Sequence, residues 1–101
     1  MRLINVTSSH PTLVKNQLRN TDATLIEVYS AGNTDVIFSQ APKHYEILIS
    51  NKYRAIKESE IEIIREFFLR RHIDKSIIIK ENIKTSYTEK LISISIPIAR
   101  S

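Results

Sequence analysis

The stretch that most constrains the fold is residues 59–72, S-E-I-E-I-I-R-E-F-F-L-R-R-H, because it carries both ends of an amphipathic helix. Ser59 and Glu62 have the capping-box spacing, in which a hydroxyl and a carboxylate accept hydrogen bonds from the first free backbone N–H groups. Acidic residues come first and basic residues last, which is the order that the helix dipole favours. Glu66 and Arg70 also have the i,i+4 spacing of a favourable ion pair. Together these signals predict one helix over the whole stretch.

The apolar side of this predicted helix spans about 160° of its circumference, against the ~100° of an ordinary surface helix. It is formed by Ile61, Ile63, Ile64, Phe67 and Phe68. Burying these side chains contributes roughly 7–15 kcal/mol, whereas ordering the helix costs a similar or larger amount, at about 1–2 kcal/mol per residue. The helix therefore needs another layer of structure against it, and a stripe this wide fits a helix that lies across a β-sheet.

Strand signals occupy most of the rest of the chain. We expect strands at residues 2–6, 24–30, 34–40, 44–50, 76–83 and 91–98. Residues 76–83 are open to a second interpretation, because their β-branched run favours a strand while Ile79 and Ile83 have helical i,i+4 spacing. Residues 51–57 fit either an extension of the preceding strand or a loop, and residues 85–88 are predicted to be a turn.

Turn residues and a second helix complete the pattern. Gly32, the only glycine of the chain, and Asn33 tolerate positive φ and predict a tight hairpin between two strands. Residues 10–22 open on His-Pro and predict a helix, since proline is favoured at the first helical position. Pro97 has no N–H to donate to a strand ladder, so it is expected at a sheet edge or near a strand end.

The resulting element order, β-α-β-β-β-α-β-β, predicts an α+β fold, a two-layer sandwich in which a mostly antiparallel sheet carries both helices on one face. We expect one domain over residues 1–101. The last strand alternates isoleucine with serine or proline from Ile92 to Ile98, so one of its faces is apolar. The sheet face away from the helices is expected to be solvated or to pair with a second copy of the chain.

The residue types exclude several kinds of site. The chain has no cysteine, which excludes disulfides, thiolate zinc sites and cysteine nucleophiles. Its lone glycine excludes glycine-rich phosphate loops. The histidines, His10, His44 and His72, lack metal-ligand spacing, and Ser8-Ser9-His10 fits a helix cap better than an anion site or a catalytic serine. We therefore expect no catalytic residues, no metal and no cofactor.

The apolar segments of the chain are short. No apolar run approaches the ~20 residues of a membrane span, and the amino-terminal residues do not resemble a secretion signal. We expect a cytoplasmic protein that does not enter a membrane.

The net charge of +4 is concentrated in the last third of the chain. Residues 67–101 contain seven basic and three acidic residues, whereas residues 1–50 contain four of each. Such a region attracts nucleic acid or another polyanion, although it is also typical of a solvated face. The candidate anion- or nucleic-acid-binding residues are Arg70, Arg71 and Lys75, with Lys80, Lys84, Tyr53 and Tyr87 as extensions of the same surface.

Three segments, I-N-V-T-S-S-H-P-T-L-V-K-N-Q-L, A-G-N-T-D-V-I-F and H-Y-E-I-L-I-S-N-K, resemble a small family of uncharacterised cytosolic proteins of Gram-positive bacteria. The resemblance covers most of the chain. It implies a compact cytosolic domain of unknown function, and it transfers no catalytic or binding residue to this sequence.

Three functional hypotheses remain. The first is a non-enzymatic protein–protein interaction or regulatory module, self-associating or binding another protein, through isoleucine-rich strands near the C-terminus that offer a surface or an edge. The second is a nucleic-acid or polyanion binder that uses the basic region 67–101. The third is a small enzyme, for which converging polar side chains in a pocket would be required.

Overall fold

Six β-strands and one α-helix make up the part of the chain that the computed structural model describes, residues 1–7, 24–72, 83–88 and 91–98. The elements are β1 (Ile4–Asn5), β2 (Thr24–Ala31), β3 (Thr34–Gln40), β4 (His44–Asn51), α1 (Glu58–His72), β5 (Lys84–Thr88) and β6 (Leu91–Pro97). The predicted α+β fold with an antiparallel sheet is confirmed. The helix predicted at residues 10–22 lies outside the described residues.

The strands form one sheet in the order β1-β2-β3-β4-β6-β5, with every neighbouring pair antiparallel. The first four strands are an up-and-down meander. After helix α1 the next strand, β5, lies at the far edge of the sheet and not beside β4. Strand β6 then fills the place between β4 and β5. Because β6 is antiparallel to both neighbours, β4 and β5 run parallel, in a split β-α-β arrangement.

The position of β5 corrects the sequence analysis. Residues 85–88 were predicted to be a turn, but they pair with β6 as part of Lys84–Thr88. Their threonine and tyrosine side chains favour a strand whenever a partner is available, and β6 supplies that partner. Of the strand predicted at residues 76–83, only Ile83 is described, and it precedes the strand.

The hairpin between β2 and β3 is formed as predicted. Gly32 has φ of +61°, and no other residue of the described ranges has positive φ. Asn33 therefore does not share the left-handed conformation. A positive φ at the first central residue alone is the type II′ pattern, which matches the twist of the flanking strands.

A β-bulge in β2 decides which of its side chains face α1. The pairing with β3 shifts between Leu25 and Glu27, so Ile26 is an extra residue in the ladder. As a result Ile26 and Tyr29 both pack against the main core, while Val28 lies on the opposite face. Simple alternation would place Ile26 and Val28 on the same face of the sheet, and the extra residue of the bulge separates them.

The main core lies between α1 and the sheet. Ile61, Ile64 and Phe68 of the predicted stripe are buried there, and Phe68 has no exposed surface. Two residues of α1 differ from the prediction: Ile63, a member of the predicted stripe, is 46% exposed, and Leu69, which was not assigned to it, is buried. The ring of Phe68 lies 4.5 Å from that of Phe38 in β3 and 5.6 Å from that of Tyr45 in β4. The helix crosses the sheet, as its wide stripe predicted.

The second face of the sheet is also buried at its centre, contrary to the expectation of a solvated or self-paired face. Val28, Ile37 and Leu48 form a smaller apolar cluster there, and Leu48 is only 1% exposed in a single copy of the chain. The isoleucines of β6 do not provide a free surface either, since β6 lies between β4 and β5 and Ile92 and Ile94 are buried. Neither feature supports the surface on which the first hypothesis was based.

Pro97 ends β6, as predicted. It lies opposite His44 of β4, whereas on the other side the ladder with β5 stops at the pair Lys84 and Ser95. The missing N–H of Pro97 therefore does not interrupt the pairing with β5.

The start of α1 differs from the predicted capping box by two residues. The helix begins at Glu58, and the carboxylate that reaches back is that of Glu60, whose Oε1 accepts a hydrogen bond from the backbone N–H of Lys57 at 3.1 Å. Glu60 also accepts two hydrogen bonds from the guanidinium of Arg54, at 2.6 and 2.8 Å. Ser59 therefore lies inside the first turn and is not the N-cap.

The side-chain hydrogen bonds of Asn51 explain why β4 ends at this residue. Its Oδ1 accepts hydrogen bonds from the backbone N–H groups of Tyr53 at 2.8 Å and Arg54 at 3.1 Å, and its Nδ2 donates to Oγ1 of the buried Thr34 at 3.0 Å. The side chain thus replaces the strand ladder with an Asx turn. It also brings Arg54 to the start of α1, so residues 52–57 are a loop rather than an extension of the strand.

Substitution of Phe68 by Ala is expected to lower the free energy of unfolding by about 3–5 kcal/mol, because a fully buried ring leaves a cavity. Tyr53→Ala, at a ring that is 76% exposed and lies before the helix, is the control, and its expected cost is below about 1 kcal/mol. Denaturant-induced unfolding measures both. A loss below about 1 kcal/mol for Phe68→Ala would contradict the packing of α1 on the sheet.

The stability of the fold is expected to fall in acid through Glu60. Hydrogen bonds from Arg54 lower the pKa of Glu60 from 4.5 to about 2, against the opposing effect of burial. A carboxyl with a lowered folded-state pKa stabilises the fold above its ordinary pKa, and that contribution is lost as pH falls from about 4.5 to about 2. Glu60→Gln is expected to cost up to about 1 kcal/mol at neutral pH, since Arg54 is half exposed and solvent weakens the pair.

Unfolding of Glu60→Gln and the unsubstituted protein across this pH range measures the effect, and the difference between them is expected to vanish near pH 2. Asp35→Asn, at an exposed carboxylate of β3 without an ion-pair partner among the described residues, is the matched control. An equal pH dependence in all three proteins would refute the role of the Arg54–Glu60 pair.

Candidate functional site

The outward side of α1 carries a groove of about 650 Å³. The described residues that line it, here called the outer stripe, are Ser59, Glu62, Ile63, Glu66, Phe67, Arg70 and Arg71. They recur at spacings of three and four along α1, which places them on one side of the helix. This side is distinct from the one formed by Ile61, Ile64 and Phe68, which packs on the sheet.

The middle of the outer stripe is apolar. Ile63 is 46% exposed, and Phe67, one turn later, is half-buried at the margin of the main core. Their chain neighbours Ile64 and Phe68 are fully buried. A single exposed isoleucine needs no explanation, but here it lies in a groove beside an accessible aromatic ring, with charged residues on both sides.

The C-terminal half of the stripe is held by the sheet. The ring of Phe67 packs edge-on against that of Tyr29 in β2 at 5.1 Å, and the guanidinium of Arg71 lies over the Phe67 ring at 5.2 Å. The hydroxyl of Tyr29 donates to Oε1 of Glu27 at 2.9 Å. Burial, and then this hydrogen bond, raise the pKa of Tyr29, so the hydroxyl stays protonated and keeps its contact. Arg71 is therefore positioned by a cation–π contact.

The charges of the outer stripe are separated along the helix axis. Glu62 lies in its N-terminal half, Glu66 lies close to its middle, and Arg70 and Arg71 are exposed at its C-terminal end. The predicted ion pair between Glu66 and Arg70 does not form, and none of these four residues has an ion pair with any described residue. An exposed i,i+4 pair is worth only about 0.3–0.5 kcal/mol, which does not outweigh the cost of fixing two long side chains.

The structure separates the residues of the proposed polyanion site. Arg70 and Arg71 are neighbours on α1, whereas Lys75 and Lys80 lie outside the described residues. Lys84 lies opposite Ser95, in the register that alternates with the α1-facing residues of β5 and β6, so it is on the other side of the sheet.

The exposed tyrosines are at the other end of α1. Tyr87 is 58% exposed, and its hydroxyl donates to Oε2 of Glu58 at 3.2 Å. Tyr53, 76% exposed, is in the loop before the helix. Twelve helical residues, roughly 18 Å, separate Glu58 from Arg70. The rings and the arginines therefore do not form one stacking platform.

A second polar cluster lies around the buried carboxylate of Glu46. The hydroxyl of Ser93 donates to its Oε1 at 3.1 Å, and Nε2 of His44 is 3.8 Å from its Oε2. The serine contacts the carboxylate and not the imidazole, so the cluster lacks the contact between a nucleophile and a base that acyl transfer requires. Within the described ranges no group of three or more His, Asp or Glu side chains could hold a metal ion.

Comparison with known families identifies the chain. Residues 1–97 match the model of a domain of unknown function, DUF1827. The chain belongs to this family. The resemblance inferred from the sequence is thereby confirmed, and the family description assigns no activity.

A solved structure agrees with this assignment. The chain is 62% identical to a conserved protein of unknown function from Streptococcus thermophilus LMG 18311, over 99% of each chain, with a TM-score of 0.87 between the structures. No curated protein matches the chain. As for membranes, the described part of the chain contains no helix with the length and hydropathy of a transmembrane span.

The outer stripe was not predicted as a surface, and two predictions for its residues were wrong. Ile63 was placed with the core residues, and Glu66 was paired with Arg70. The width of the apolar side carries part of the missing signal: about 160° is wider than the ~100° of an ordinary surface helix, and its margin at Ile63 is exposed in the structure. Reading every third and fourth residue from Ser59 gives the outer stripe directly.

Proposed function

We propose that this protein is a non-enzymatic, cytoplasmic interaction module that self-associates through the outer stripe of α1. The observation that supports it is the groove on α1, where the exposed Ile63 and the accessible ring of Phe67 are flanked by charged side chains. An apolar centre with a polar margin is the usual composition of a protein–protein interface.

A second copy of the chain fits this surface because the surface carries both signs of charge. The outer stripe has two glutamates and two arginines, so it has no net charge with which to prefer a polyanion or a basic partner. A surface of balanced charge with an apolar centre is complementary to another copy of itself, which is what an isologous dimer requires.

The sheet offers less for self-association than α1 does. Its described edges are β1, with two residues, and β5, with five residues of sequence K-T-S-Y-T. Short, polar edge strands are poor templates for pairing with another sheet. The apolar centre of the second face is covered, as the burial of Leu48 shows. The outer stripe is therefore the surface on which we base the proposal.

Polyanion binding through residues 67–101 has weaker support. Arg70 and Arg71 share their groove with Glu62 and Glu66, which repel phosphates, and the exposed tyrosines lie at the far end of α1. Nucleic acid that co-purifies at low salt, and that is lost on Arg70→Ala plus Arg71→Ala, would favour this function instead. The absorbance ratio at 260 and 280 nm reports it clearly, because the chain has no tryptophan and only four tyrosines.

Sedimentation equilibrium over a wide concentration range tests self-association. We expect a monomer–dimer equilibrium that Ile63→Asp weakens by about tenfold or more, since a carboxylate in the apolar centre costs at least about 1.4 kcal/mol on burial. Tyr53→Asp makes the same kind of change at an exposed side chain outside the stripe, and it is expected to leave the equilibrium unchanged.

Far-ultraviolet circular dichroism and thermal unfolding confirm that both variants keep the fold. A protein that stays monomeric at every concentration would overturn the proposal. So would an equal loss of association in Ile63→Asp and Tyr53→Asp, because it would place the contact elsewhere.

A further inference from the structure

We infer that the two copies pair with their α1 helices antiparallel, about a two-fold axis at the level of Arg65. This inference rests on the proposed self-association and adds the orientation and the residues that meet. Its basis is the order of charges along the outer stripe and the one-turn separation of Ile63 and Phe67.

The order of charges distinguishes the two orientations. In a parallel pair Glu62 would face Glu62 of the other copy, and Arg70 would face Arg70, which is unfavourable along the whole contact. In an antiparallel pair Glu62 of each helix lies toward Arg70 and Arg71 of the other, and Glu66, close to the axis, is the one charged residue of the stripe that lies beside its own copy. The helix dipoles favour the same orientation, since the positive N-terminal end of one helix then lies beside the negative C-terminal end of the other.

The charges are available for such contacts. The side chains of Glu62, Glu66 and Arg70 form no ion pair or hydrogen bond with any described residue of their own chain. Arg71 is held over Phe67 by a contact that leaves its guanidinium exposed. These charged groups can therefore contact a second copy without first breaking a contact within the described part of the chain. The free-energy cost of breaking such contacts is then absent from association.

The apolar residues fix the axis. Ile63 and Phe67 are four residues apart, so a two-fold axis midway between them places Ile63 of each copy against Phe67 of the other. The same axis puts Ser59 at the level of Arg71, and Glu62 within one helical turn of Arg70 and Arg71. Each copy uses one patch against the identical patch, so the assembly closes at two copies and does not grow into a filament.

Cysteine cross-linking tests the orientation, and the absence of native cysteine makes every introduced thiol unique. Ser59→Cys and Arg71→Cys proteins are mixed and treated with a short bismaleimide linker. The mixture is expected to give the Ser59–Arg71 cross-link, whereas Ser59→Cys alone is expected to give little dimer, because antiparallel helices hold its two thiols about 18 Å apart along the axis. Mass spectrometry of the cross-linked peptides identifies the partners.

Charge reversal tests the complementarity separately. Glu62→Lys plus Glu66→Lys makes the stripe wholly basic, and Arg70→Glu plus Arg71→Glu makes it wholly acidic. Each variant alone is expected to lose self-association by about tenfold or more, and the two mixed are expected to regain it as a salt-sensitive heterodimer. Circular dichroism confirms that both remain folded.

The outcomes separate this inference from the function on which it rests. Efficient cross-linking of Ser59→Cys to itself would overturn the antiparallel pairing and leave self-association through α1 in place. Charge-reversed variants that associate as well as the unsubstituted protein would overturn the electrostatic basis of the orientation. An unsubstituted protein that is monomeric at all concentrations would overturn the proposed function, and this inference with it.

Discussion

The packing of α1 across the sheet is the contact on which the rest of the structure depends. Phe68 meets Phe38 and Tyr45 at the centre of the sheet, and Ile61 and Ile64 extend the same apolar surface along the helix. The helix spans the sheet from the β5 edge toward β2. At its start, Glu58 accepts a hydrogen bond from the hydroxyl of Tyr87 in β5. Near its end, Phe67 packs against Tyr29 of β2. A helix of this size does not offset its own ordering cost without such a surface.

That packing also determines what α1 presents to solvent. Side chains three and four residues apart share one side of a helix, so when the Phe68 side is buried the opposite side, the outer stripe, is exposed. Ile63 and Phe67 belong to the apolar arc of the sequence, but they lie at its margin, where the sheet no longer covers them fully. The candidate site is thus a consequence of an apolar arc that the sheet does not cover completely.

The charge order of α1 has two consequences. Glutamates toward the N-terminal end and arginines toward the C-terminal end stabilise an isolated helix through its dipole. The same order makes the helix complementary to an antiparallel copy of itself, because reversal of direction exchanges the acidic and basic ends. The Arg54–Glu60 pair fixes where the helix begins, and it therefore fixes where along the axis the other charges lie. The family and the Streptococcus thermophilus relative leave the function unassigned, so the physical properties of this surface are the basis for a proposal.

The sequence by itself determined the elements whose signals are local. β3, β4, β6 and α1 follow from side-chain alternation, helical periodicity and turn residues, and the hairpin at Gly32 follows from the φ that only glycine adopts without strain. The tertiary structure alone decided the place of β6 between β4 and β5, the bulge at Ile26, the strand at residues 84–88 and the exposure of Ile63. It also decided that Lys84 lies on the other side of the sheet from Arg70. These features depend on which distant segments pair, and a pairing partner leaves no periodic signal in the residues that it contacts.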